Sequence, residues 1–180
     1  MRTHPFQRFP RSRRRLAFGS VLGAALVVTL LAAVTSPLPA GATIVDFELA
    51  GSVERTGEIL AAWRREGVVD DAKAIQLFDL VYPLIYAAAL AGACVAAAAA
   101  WARAASPRLA AAGVAMAWVA TAAAAFDYVE NVGLAFSLWG EPASPWPQLA
   151  WAAAALKFAA IALPLVFALS TLCTTPLRRS

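Results

Sequence analysis

The charged residues of this chain are gathered into short blocks, and long apolar stretches without charge separate them. Residues 16–35 (LAFGSVLGAALVVTLLAAVT) hold no ionisable side chain at all. At 1.5 Å per residue, about 20 helical residues cover a hydrocarbon core of ~30 Å. Hydrocarbon offers no partner to backbone N–H and C=O groups, so a segment crossing it must satisfy them internally, as a helix does. Hydrophobic residues make up 61% of the chain and charged residues 14%, against about 45–50% and 25% in soluble domains. The expected fold class is therefore all-α: an integral membrane bundle of four transmembrane helices with a short extracytoplasmic amphipathic helix.

The segments follow from the charge layout. Residues 1–15 (MRTHPFQRFPRSRRR) form a basic, Pro-containing cytoplasmic arm without periodicity, expected to be structureless and drawn to anionic headgroups. Residues 16–35 are the first span or, alternatively, the core of a signal peptide, since Ala40 and Ala42 supply an A-x-A pattern. The run exceeds the usual apolar length of about 7–15 residues for such a leader, which favours a retained anchor. Residues 36–74 are an extracytoplasmic loop with eleven charged side chains, acids outnumbering bases. Within it Thr56 is expected to cap a helix over TGEILAAWRRE, stopped at Gly67, with Ile59, Leu60 and Trp63 on one face. Residues 75–172 are the three-helix core, with spans over 75–101, 109–139 and 148–172, and residues 173–180 are a cytoplasmic tail.

Orientation follows from lysine and arginine. Six lie in the arm, two in the 102–108 connector and two in the tail, against four in the 36–74 loop. The positive-inside rule then puts both termini in the cytoplasm of a multi-pass protein of the plasma (inner) membrane. Trp139, Trp146 and Trp151 fall at the outer interface and Trp101 at the inner one, as an aromatic belt requires.

Ionisable side chains inside spans are costly and therefore informative. Four occur here: Asp79, Asp127, Glu130 and Lys157. The topology puts all four in the outer half of the bundle, delivered by three helices. Asp127, Glu130 and Asn131 stand at i, i+3 and i+4 and share one face. Gly113, Ala117, Ala120 and Ala124 line roughly that face, a small-residue strip that admits a close neighbour. On the preceding span Gln76, Asp79, Tyr82 and Tyr86 share an arc. The binding candidates are thus Gln76, Asp79, Tyr82, Asp127, Glu130, Asn131 and Lys157.

Two prolines add to this. Pro83 cannot donate to the carbonyl of Asp79, and Pro164 frees that of Ala160, one turn from Lys157. Three carboxylates around one ammonium leave a surplus of negative charge that a low-dielectric site does not tolerate. Either a carboxyl keeps its proton or a cation binds.

No metal site, cofactor or nucleic-acid surface is implied. Cys94 and Cys173 are far apart, and His4 is the single histidine and lies in the arm. No Gly-rich phosphate loop or G-x-S-x-G occurs. The expected partners are the lipid bilayer, a small cation, amine or lipid ligand at the acidic cluster, and a protein partner or a second copy.

The stretch AFDYVENVGL, with QLFDLVYPLIY upstream, resembles a set of uncharacterised bacterial four-helix integral membrane proteins. Those pair an F-D-x-x-E-N third helix with a D-x-x-x-P second helix. The matching positions are Asp79, Pro83, Asp127, Glu130 and Asn131, within a resemblance spanning roughly residues 20–172. It implies the architecture and the choice of site; it carries no activity.

Three roles stay open on the residues. One is an accessory membrane subunit whose polar layer specifies helix pairing. Another is a proton- or cation-binding or transport protein, against which counts the lack of ionisable residues in the inner half of any span. The third is a membrane-embedded enzyme acting on a lipid or isoprenoid, with Asp127 or Glu130 as general acid/base.

Overall fold

The computed structural model describes residues 3–8, 20, 23, 24, 27, 29 and 35–174. Most of the expected first span, 16–35, lies outside the described residues, as do most of the arm and residues 175–180. The described residues are mostly helical and contain no strand. After a 3₁₀ turn at Pro5–Arg8 come α1 (Ile44–Glu48), α2 (Val53–Glu66), α3 (Val69–Phe78), α4 (Tyr82–Arg103), α5 (Pro107–Trp139) and α6 (Trp146–Thr174). Helices α4, α5 and α6 are long and apolar enough to cross a membrane. The chain forms two compact units, Thr29–Pro83 with Ala124–Phe158, and Met1–Val28 with Leu84–Ala123 and Ala159–Ser180.

In the first unit the loop is folded. A capping box starts α1: Thr43 Oγ1 accepts from the Asp46 amide at 3.2 Å, and Asp46 Oδ2 accepts from the Thr43 amide at 2.8 Å. Thr43 Oγ1 also donates to Asp46 Oδ2 at 2.7 Å, and this bond together with that from the Thr43 amide holds the Asp46 carboxyl below its ordinary range. Helix α2 begins four residues earlier than its sequence suggests. Ser52, not Thr56, is the N-cap, with Oγ accepting from the Arg55 amide at 3.1 Å. Ser52 takes the extended cap conformation, whereas Thr56 lies buried within the helix. Gly67 ends α2 at φ 73°, a left-handed position that glycine adopts without strain. Ile59, Leu60 and Trp63 share the buried face of α2. Trp63 packs against Phe47 at 4.9 Å between ring centroids and donates from Nε1 to the Ala42 carbonyl at 2.6 Å.

The span expected over 75–101 is broken. Helix α3 ends at Phe78, a turn covers Asp79, Leu80 and Val81, and α4 starts at Tyr82. Proline removes the amide and its ring crowds the carbonyl four residues back, so a helix cannot continue through it undisturbed. In the first turn of a new helix the same residue costs nothing. Pro83 therefore restarts the chain instead of merely bending it.

In the same unit, α5 and α6 approach through Gly133. A Cβ there would lie 2.8 Å from the Trp146 carbonyl oxygen and 3.1 Å from Ala150 Cβ. Phe136 stacks on Trp146 at 4.0 Å.

The second unit is built on alanine. Ala89, Cys94 and Val95 of α4 and Ala117, Ala120 and Ala123 of α5 are buried. A Cβ on Gly113 would meet Ala98 Cβ at 2.8 Å, the signature of two helices in close contact. Trp101 Nε1 donates to Thr171 Oγ1 at 3.0 Å, and α6 runs through Pro164 without ending. Residues 3–8, expected to be structureless, are folded here. His4 is buried, its Nε2 lies 3.3 Å from Thr121 Oγ1, and its ring meets Trp118 edge-on at 4.8 Å.

Candidate functional site

The polarity of α5 and α6 in the first unit is inverted relative to a water-soluble helix. Val129 and Val132 are 44% and 50% exposed, while Glu130 and Asn131 between them are 0% and 4%. On α6, Leu156 is 52% exposed and its neighbour Lys157 is 5%. Apolar side chains face out and ionisable ones face in.

Lys157 is the centre of the buried group. Its Nζ lies 2.8 Å from each Glu130 oxygen, 3.3 Å from Glu48 Oε2 and 3.9 Å from Asp127 Oδ1. The contact to Glu130 Oε2 lacks hydrogen-bond alignment, so that oxygen keeps unused acceptor capacity. Glu48 and Glu130 both approach the Lys157 ammonium, at 3.3 and 2.8 Å. Burial pushes the Glu48 carboxyl above its ordinary range, and the charge of Lys157 opposes that shift without cancelling it.

Beside the ion-pair group runs an amide relay. Asn131 Nδ2 donates to Asp127 Oδ1 at 3.3 Å and to the Asp79 backbone oxygen at 3.2 Å. Gln76 Nε2 donates to Asn131 Oδ1. The carbonyl that Pro83 leaves without an amide is thus satisfied by a side chain from α5, which fastens the α3–α4 break to the helix carrying Asp127 and Glu130. Tyr128 fastens the same turn a second time, donating from its hydroxyl to the Leu80 carbonyl at 2.9 Å.

No family model, curated protein or solved structure matches the chain.

Of the residues singled out from sequence, Asp127, Glu130 and Lys157 converge in one buried group, with Asn131 and Gln76 alongside. Asp79 stands differently from its expected place one turn inside a span: it caps the end of α3, half-buried, and its carboxylate acts on Glu48 through charge. Tyr82 opens α4 and pairs its hydroxyl with that of Thr29, with its ring 6.0 Å from that of Phe78.

The residue that sequence reasoning passed over is Glu48. It is one of seven acids in the 36–74 segment, and only the fold of that segment distinguishes it from the others. A signal did exist. Thr43 and Asp46 have capping-box spacing ahead of a short apolar run, so a helix turn ending at Glu48 was available to be read.

Proposed function

We propose that the protein is an integral protein of the bacterial plasma (inner) membrane whose buried acidic cluster, on the extracytoplasmic side, takes up and releases a proton. In this reading residues 16–35 join α4, α5 and α6 as four spans, both termini are cytoplasmic, and α2 is an extracytoplasmic amphipathic helix whose apolar face caps its own unit.

One observation carries the proposal: a single ammonium, Lys157, is enclosed by three buried carboxyls, Glu48, Asp127 and Glu130. Fully ionised, the group would bear two surplus negative charges, which a dry site disfavours by several kcal/mol per ion. A proton held by one of the three carboxyls removes one of them. Lys157 already fills the cation position at the centre, and among the described residues no cluster of His, Cys, Asp and Glu is disposed to hold a metal ion. These two facts favour a proton over a metal cation as the exchangeable occupant. The inverted exposure of Leu156 against Lys157 and of Val129 against Glu130 supports lipid as the surroundings. Contact between Glu48 of the loop and Lys157 of α6 supports putting the loop on the same side as the outer half of α6.

The test is thermal unfolding of the full chain in detergent across pH, with and without sodium, potassium, calcium and alkylamines, beside an Asp127→Asn/Glu130→Gln double variant. The proposal expects a pH-dependent midpoint in the parent that the double variant flattens, with no response to the cations. A midpoint that responds to one cation and loses that response in the variant would replace the proton with that cation. A variant that tracks the parent in every condition would reduce the cluster to polar glue between helices and overturn the reading.

A further inference from the structure

The second compact unit has a one-sided charge inventory. Its segments, 1–28, 84–123 and 159–180, contain ten arginines and no aspartate, glutamate or lysine. All eleven acids of the chain lie in the other unit. The counter-charge for these arginines must come from outside their own unit.

The described arginines of this unit are Arg8, Arg103 and Arg108, and all three are exposed. The ion pairs among the described residues involve Arg55, Lys73 and Lys157 instead. Arg103 closes α4 and Arg108 opens α5, so they flank one short connector. That end of α5 also directs unpaired backbone amides outward, adding positive potential.

Next to this basic rim is an apolar cavity of about 350 Å³, at the small end of the ~300–1,000 Å³ typical of ligand sites. Ala98, Ala99 and Ala102 of α4, Ala110 and Val114 of α5, and Gln7 line it. Ala99 and Arg103 are one helical turn apart, as are Ala111 of the lining and Arg108, so the arginines continue the cavity's own stripes. The N-terminal segment runs from His4, at the level of Trp118 and Thr121, to Gln7 at the cavity wall. Arg8 follows Gln7 directly in the chain and is exposed.

From this juxtaposition we infer a binding site for an anionic phospholipid: an acyl chain in the alanine-lined cavity and the phosphate headgroup held by Arg103, Arg108 and Arg8. Arginine suits the role because its planar fork pairs phosphate oxygens in two-point fashion, and basic pockets between helices at a membrane surface select such headgroups. The small lining residues matter equally. Leucine in their place would fill the space that the chain needs.

Native mass spectrometry of the full chain in detergent, titrated with phosphatidylglycerol, phosphatidylcholine or inorganic phosphate, tests this. Phosphatidylglycerol is expected to bind at least ten-fold more tightly than phosphatidylcholine, and phosphate alone to bind no better than phosphatidylcholine. Arg103→Gln/Arg108→Gln should weaken the anionic lipid by roughly ten-fold or more, and Ala102→Leu should weaken it with every charge in place. Arg64→Gln/Arg65→Gln, on exposed positions of α2, should change nothing. Equal binding of the two lipids would overturn the inference. So would undiminished phosphatidylglycerol binding by Arg103→Gln/Arg108→Gln, which would leave only diffuse attraction, or binding of free phosphate as tight as that of the lipid. Should the double variant fail to fold, the headgroup comparison and Ala102→Leu decide by themselves.

Discussion

Glu48 and Lys157 are 109 positions apart in the chain, and their charged groups lie 3.3 Å from each other in a buried setting. The contact joins a five-residue helix of the polar segment to the middle of an apolar helix. It makes the segment 36–74 part of the core of its unit, not an appendage.

Glu48 should make stability fall as pH rises. The fold raises its carboxyl above the ordinary value of 4.5, so the folded state holds the proton more tightly than the unfolded state. Its favourable contribution is complete below 4.5 and is lost as pH climbs through the higher folded value. Thermal unfolding of Glu48→Gln in detergent should lack this decline. A decline of equal size in the variant would place its origin in other carboxyls.

Removing the ammonium should cost more than removing any one of its partners. Lys157→Met leaves Glu48, Asp127 and Glu130 without a counter-ion, and stranding one side of a buried pair costs about 3–5 kcal/mol. Protonation relieves that repulsion, so the variant should recover toward acidic pH. Denaturant titrations at neutral and acidic pH will show whether the gap to the parent narrows.

Asp46 gives a pH response of opposite sign. Hydrogen bonds from Thr43 keep its carboxyl below the ordinary 3.8, so its contribution is present above 3.8 and disappears as pH falls through the lower folded value. Asp46→Ala should cost about 0.5–1.5 kcal/mol at neutral pH, the usual net worth of a hydrogen bond, because the Thr43 amide loses its acceptor. The difference from the parent should shrink in strong acid, as followed by circular dichroism during heating.

Two glycines should respond oppositely to the same change. Gly133→Ala would drive a methyl against the Trp146 carbonyl at 2.8 Å, and overpacking of this kind costs roughly 1–3 kcal/mol. Gly57, inside α2, has open space where a Cβ would go. Gly57→Ala should add about 0.5–1 kcal/mol through helix propensity alone. Melting temperatures of the two variants should move to either side of the parent.

What was legible in the sequence and what was not divide along physical lines. Asp127, Glu130 and Lys157 stood out because each interrupts an apolar run, where an ionisable group has few ways to be satisfied. Helical spacing was enough to put Asp127, Glu130 and Asn131 on one side. The carbonyl released by Pro83 could be anticipated from proline chemistry, but its acceptance of Asn131 Nδ2 could not. Whether proline bends a helix or starts a new one depends on the tertiary partners of the neighbouring turn. Ser52 and Thr56 are both acceptable caps, and the choice was made by burial of the α2 face around Trp63. Glu48 escaped because an acid among many acids in a polar segment has no contrast with its surroundings.

The central position of Lys157 has a consequence for the order of assembly. The chain is synthesised from its N-terminus, so Glu48, Asp127 and Glu130 are all made before the cation that they surround. Until α6 docks, the carboxyls must stay protonated or hydrated, and the first unit cannot close over them. Helix α6, which brings the lysine, therefore acts as the keystone of the cluster. A chain released before residue 157 would hold the acids of the cluster without the lysine, a ready mark by which quality control could tell unfinished molecules from finished ones.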